Sequence, residues 1–279
     1  PDAGGYWAVD NTDVNYGAVP IYDWVSIAQP GNQLNVSDTS NEDDDAEMIS
    51  LPFAFMYYGE IYNNITVSSN GTAAFGDSNT LYTFRNWPIP SPLGPPAMLA
   101  VNWEDHLTSG GGVYAFHDSG NGRFIIQWNV QTRNTGASQV FQAILFDPAI
   151  WPTQTGNGKI QFQYQTFSQE PGIYYDNDYC TVGIESPDQS TGLQYLYWTQ
   201  YDGNAASING TRAIMFTDDL SGGGGVDPDA QIGPANINVQ YQGVPVSDYV
   251  SIETIGVEGT LVWSITENDN QAIAGAARR

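Results

Sequence analysis

The sequence predicts an all-β chain, an antiparallel β-sandwich followed by a partial Ig-like β module, and three observations carry that reading. Tyr, Trp, Phe, Val, Ile and Thr are frequent, whereas apolar residues at helical spacing are scarce. The chain is punctuated by 30 Gly and 16 Pro into short runs. Several of those runs alternate apolar and polar residues at period two, which buries one face of a strand and leaves the other wet, as in a sandwich and unlike a parallel sheet covered on both sides.

In chain order, the strand-like runs between turn signals are residues 65–69, 72–75, 97–103, 112–117, 123–130, 139–146, 159–165, 180–185, 194–198 and 212–216. Alternation is cleanest in Arg123–Val130 and Lys159–Gln165. Ser119-Gly120-Asn121-Gly122 reads as a hairpin turn because Asn and Gly tolerate positive φ, and Thr155-Gly156-Asn157-Gly158 plays the same part before Lys159. Ser221-Gly222-Gly223-Gly224-Gly225 followed by Val226-Asp227-Pro228-Asp229 marks a boundary, so the sandwich is assigned to residues 1–220 and a linker to 221–229. Residues 230–279 carry alternating runs at 236–241, 249–255 and 260–266. These are too few for a sandwich of their own and fit half of a small Ig-like module or a flap. Pro1, without a Met or an apolar leader, and Ala276-Ala277-Arg278-Arg279 read as the ends of an excised piece.

Charge narrows the partners. With 31 Asp and Glu against 7 Lys and Arg, the formal net charge is −24. A phosphate backbone or an anionic membrane would repel such a surface, so nucleic acid and membrane insertion are excluded as expectations. Hydrophobic content of 41% is ample for a core, which places the acid on the surface of a folded body. The single Cys180 excludes an internal disulfide.

A longer pattern follows from Leu51-Pro52-Phe53-Ala54-Phe55-Met56-Tyr57-Tyr58-Gly59 through Tyr62 and Ile65 to Val67-Ser68-Ser69-Asn70-Gly71 and Phe75-Gly76. It resembles a module of large secreted bacterial proteins, one often attached to gingipain-like or subtilisin-like peptidases with C-terminal sorting domains, and is more distantly similar to the nidogen extracellular domain. Gly94–Asp105, Phe141–Pro148, Thr181–Glu185 and Gly192–Tyr195 continue the resemblance, which covers roughly residues 1–218. It departs at Asn102, where the family has Phe, at Glu104, where it has Asp, and at Cys180, where a small residue is usual. The resemblance implies a secreted or cell-surface β-sandwich with no catalytic residues to carry over.

Two constellations are candidates for binding. Asp43, Asp44, Asp45 and Glu47 form the densest acidic run, and Glu104 with Asp105 a second pair at a strand end. Calcium takes several hard oxygens at once, so these six carboxylates are its candidate ligands, against the plain alternative of loop carboxylates in water or on backbone amides. Trp87 in a Pro-rich loop, and Trp198 and Tyr201 near a turn, are candidate glycan platforms, since sugar C–H faces stack on exposed rings; packing in the core is the competing use.

Catalysis has little support. Cys180 lies in a strand-like segment, as expected of a buried inert thiol, and His106 and His117 belong to no zinc motif. Sequons at Asn35, Asn64, Asn70 and Asn209 fit an extracellular chain. The expectation is a non-catalytic module for adhesion, substrate contact or spacing, with further domains of a parent protein and a glycan or protein surface as partners. Two alternatives stay open: a fragment of a secreted peptidase whose catalytic domain lies elsewhere, and a filament or surface-layer subunit assembling through residues 226–279.

Overall fold

A computed structural model describes residues 1–39, 44–78, 84–168 and 180–220, together with the backbone of two strands in the tail. Its strands are β1 (Trp7–Asp10), β2 (Ala46–Tyr57), β3 (Glu60–Ser68), β4 (Thr72–Phe75), β5 (Met98–Trp103), β6 (His106–Asp118), β7 (Arg123–Thr132), β8 (Ser138–Phe146), β9 (Ile160–Thr166), β10 (Thr181–Glu185), β11 (Gly192–Tyr197), β12 (Gln200–Tyr201) and β13 (Arg212–Thr217). One sheet has the order β1-β13-β9-β8-β7-β6 and the other β12-β11-β10-β5-β4-β3-β2, antiparallel throughout, as the sequence predicts. In the tail β14 (Leu261–Thr266) pairs antiparallel with β15 (Ala272–Ala277), a partner the alternation did not announce. The expected runs 236–241 and 249–255, and the 221–229 linker, lie outside the described residues.

Ser119–Gly122 joins β6 to β7 as expected, with Asn121 N–H donating to the Asp118 carbonyl. Thr155–Gly158 instead ends a longer connection, residues 147–159, and the Gly158 amide bonds the Met56 carbonyl of the opposite sheet.

The core forms where the inward faces meet. Phe124, Ile126, Trp128, Phe141, Ala143, Phe162, Tyr164, Ile214 and Phe216 from one sheet face Phe55, Tyr57, Ile65, Val67, Leu99, Val101, Val182 and Ile184 from the other. Each large side chain so buried contributes about 1.5–3 kcal/mol. Polar tips inside this core find partners across it: Trp128 Nε1 donates to the Ser68 carbonyl at 2.7 Å and Tyr164 Oη to the Val101 carbonyl at 2.7 Å. Asp10 and Arg212, 3.0 Å apart and nearly fully buried, tie β1 to β13, and Tyr195 Oη donates to the same carboxylate.

The outer faces correct the expectation of one wet face per strand. On the six-stranded sheet Gln127, Gln142, Gln161 and Gln163 point outward yet are buried, because residues 21–28 lie across them as an irregular strap. The side chains satisfy the strap's backbone: Gln161 Nε2 donates to the Ile21 carbonyl, Gln142 Nε2 to the Val25 carbonyl, and Ile27 N–H donates to Gln127 Oε1. Gln163 both accepts from the Asp23 amide (2.6 Å) and donates to its carbonyl (3.0 Å). Beneath the strap, Ile27 closes a small apolar cluster with Ile125, Ile144, Phe146 and Met215.

After a short turn at Pro30–Asn32 the same segment seals the sandwich edge. Leu34 N–H donates to the Val113 carbonyl of β6 and Thr108 N–H to the Asp38 carbonyl. Glu47 of β2, and Asp45 just before that strand, accept the amides of Asn35 and Ser37 with their carboxylates. Val36, between them, enters the core. Residues 33–38 therefore bridge β6 and β2, an edge of each sheet.

Candidate ligand-binding surface

A second strap, residues 84–94, covers the outer face of the seven-stranded sheet. The sheet makes room for it with glycine: a Cβ on Gly183 would lie 2.1 Å from the Leu193 carbonyl oxygen and 3.0 Å from Ile89 Cδ1, and one on Gly192 2.6 Å from Ile89 Cγ2. Ile89 fills that gap and joins Met98, Ala100 and Trp103 in a separate apolar cluster. Three side chains of the sheet hold the strap's backbone. Thr181 Oγ1 donates to the Trp87 carbonyl (2.9 Å), the Ile89 amide donates to Gln194 Oε1 (3.1 Å), and the Ser91 amide to Glu185 Oε1 (2.5 Å). Gln189 Nε2 donates to the carbonyls of Ser91 and Gly94.

This arrangement fastens two of the three predicted glycan contacts, through their backbones, to the neighbouring residues Thr181 and Cys180. Trp198 occupies the tight β11–β12 turn with φ of 58°, its amide bonded to the Cys180 carbonyl, and its ring stacks on Tyr197 with centroids 5.5 Å apart. Trp87 hangs on the adjacent residue, Thr181, which also accepts a hydrogen bond from Asn86 Nδ2 and pairs across the ladder with Tyr197. Both indoles stay exposed, at 37% and 47%. Tyr201 goes elsewhere: its ring packs against the core edge-on to Tyr195, and its hydroxyl accepts the Ile208 amide. Sequence reasoning missed Thr181, Asn86 and Glu185. A glutamate ending the otherwise apolar Thr181–Glu185 run was the one available sign of the last.

The acidic candidates sit at the opposite end of the chemistry. Asp45 accepts the Ser37 and Ala46 amides, Glu47 the Asn35 amide, and Asp44 the side-chain amide of Asn70. Asp105 pairs with Arg133 at 2.8 Å. Burial raises the Asp105 pKa, Arg133 opposes that, and the charge of Asp44 adds to it. Glu104 is buried, and Asp43 lies outside the described residues. Among the described residues no three of His, Cys, Asp and Glu gather as a metal-binding group.

Cys180 is buried and free, its pKa raised by burial and then by the charge of Glu104. His106 is fully buried against the Asn102 carbonyl, and burial lowers its pKa to about 4, while His117 lies at the surface edge-on to Phe53. Of the sequons, Asn70 is fully buried and Asn35 and Asn209 are exposed.

Comparison with known proteins yields a match to a family model described as NIDO related, over residues 21–222. The chain belongs to the NIDO-related family. NIDO-related domains are non-catalytic modules typical of extracellular proteins. The match to this NIDO-related module spans both straps and every strand of the sandwich except β1. No curated protein and no solved structure matches. Among the described residues no helix is long and apolar enough to cross a membrane.

Proposed function

We propose that this NIDO-related domain is an adhesion module of a larger secreted or cell-surface protein, and that its ligand is carbohydrate held at the Trp87–Tyr197–Trp198 surface. One observation carries the reading: two exposed indoles are fixed through their backbones to adjacent residues, Thr181 and Cys180, with neutral hydrogen-bonding groups, Asn86 and Gln200, beside them. Exposed tryptophan has an apolar face that water solvates poorly, and sugar C–H faces cover it while amides take the hydroxyls. The acidic surface keeps anionic polymers away and favours neutral ligands. A glycan array is the test. Trp87→Ala and Trp198→Ala are each expected to weaken retention about tenfold, near 1.4 kcal/mol. Retention that neither substitution changes, or none at all by the unaltered chain, would sink the proposal.

A second reading concerns calcium near Asn70, between the segments that carry Asp44 and Asp105. Asn70 links the two segments there, its Nδ2 donating to Asp44 and its Oδ1 accepting the His106 amide. A cation would relieve the repulsion between the carboxylates. Its expected signature is a melting temperature raised by millimolar calcium and returned by EDTA; an unchanged melt overturns it.

A further inference from the structure

The second strap is fastened by an ionisable group in an unusual setting. Glu185 is fully buried, its Oε1 accepts the Ser91 amide, and its Oε2 has no hydrogen-bond partner. A buried carboxylate with one oxygen unsatisfied is costly when charged and tolerable when neutral. Among the described residues no cation offsets it. Tyr57 and Tyr58 face it from β2 and its turn, both phenols kept neutral because burial raises their pKa, with Asp2 bonded to Tyr58. Asp188, in the turn after β10, accepts from Ser186 and Ser190 at the surface. The strap's own charge, Arg85, lies over the Phe84 ring. Gln189 commits its Nε2 to the Ser91 and Gly94 carbonyls.

We propose that Glu185 is a proton-dependent latch for residues 84–94: neutral, it holds Ser91 down and fixes Trp87 on the binding surface, and on ionising it draws in water and lets the strap lift. The strap would then set ligand affinity by pH, a regulatory role that rests on the carbohydrate reading; the latch itself does not. The titration range supports this geometry, since burial pushes the Glu185 pKa up to about 7 against the lowering effects of the Ser91 amide and Gln189. The closed form is favoured below that pH, and its advantage over the lifted form falls as pH rises through it.

The test uses the full chain labelled with 5-fluorotryptophan, the Trp87 resonance being assigned from the Trp87→Phe spectrum. Fluorine NMR from about pH 5.5 to about pH 8.5 brackets the transition. The expected result is a Trp87 resonance that titrates with a midpoint near 7 while core Trp128 stays fixed. Glu185→Gln, which keeps the acceptor for Ser91 but cannot ionise, is expected to abolish the titration. A Trp87 signal flat with pH, or one that titrates unchanged in the Glu185→Gln variant, would overturn the latch. No glycan is needed for this readout. A titrating Trp87 in a chain that retains no glycan supports the latch and overturns only the binding reading, whereas a flat Trp87 in a chain that binds glycan does the reverse.

Discussion

The two straps solve the same problem with different chemistry. Each is an irregular segment laid over the outer face of a sheet, where its backbone polar groups would be orphaned without partners. Over the six-stranded sheet, four neutral glutamines supply those partners and the strap rides on their side chains. Over the seven-stranded sheet, glycines leave a gap for Ile89, and one of the three anchors is a carboxyl group that titrates. Neutral anchoring suits a permanent part of the fold. Ionisable anchoring makes the second strap, the one carrying Trp87, sensitive to solution conditions.

The contrast can be broken most severely at the glycine gap. Gly183→Ala places a methyl group against the Leu193 backbone and Ile89, so a loss of about 3 kcal/mol or more is expected in urea unfolding, with amide exchange rising in residues 84–94 and not in 21–28. Next comes the doubly bonded glutamine. Gln163→Leu keeps the shape but leaves the Asp23 amide and carbonyl unsatisfied, and should lose about 2–3 kcal/mol to the same extent at every pH from about 5 to about 8.

Glu185→Gln sharpens the comparison through pH. The folded pKa of Glu185 lies near 7, above the ordinary 4.5, so its favourable contribution is complete below about pH 4.5 and is lost as pH rises through 7. Denaturation of the unaltered chain should therefore show stability falling across that window. The substitution is expected to remove the slope and to raise stability above about pH 7 by about 1–2 kcal/mol. The smallest effect belongs to the surface pair of the first strap. Asp23 is largely exposed where it meets Arg123 at 2.8 Å, so Asp23→Asn should change stability by about 0.5 kcal/mol or less, and less again in high salt.

Ten of the strands of the sandwich were legible as runs between turns, because period-two burial writes itself into the sequence. Their outer faces were misread. Gln127, Gln142, Gln161 and Gln163 look like solvent-facing positions, since polarity alone does not distinguish a side chain in water from one bonded to a covering backbone. A better reading was available: in a chain with 31 acidic residues, outward positions on three neighbouring strands carry uncharged amides. Strap 21–28 itself has no periodicity to detect, and β1 is too short to show one. At the candidate site, Trp87 and Trp198 were legible as aromatics near turns, but not as exposed rather than packed in the core. Tyr201 was not separable from them, because two residues along a tight turn can face core or solvent, and Thr181 is joined to Trp87 only by a long-range bond.

The segment 33–38 has a consequence for how the module behaves among copies of itself. An open sheet edge offers a row of amides and carbonyls on which another chain can build, the usual start of strand exchange and fibre growth. Here one short stretch occupies part of the β6 edge with its own backbone, while Asp45 and Glu47, at the start of β2, are spent on its amides. At high local density, such modules would meet along an edge that is already partly taken, and would pack closely without growing into one another's sheets.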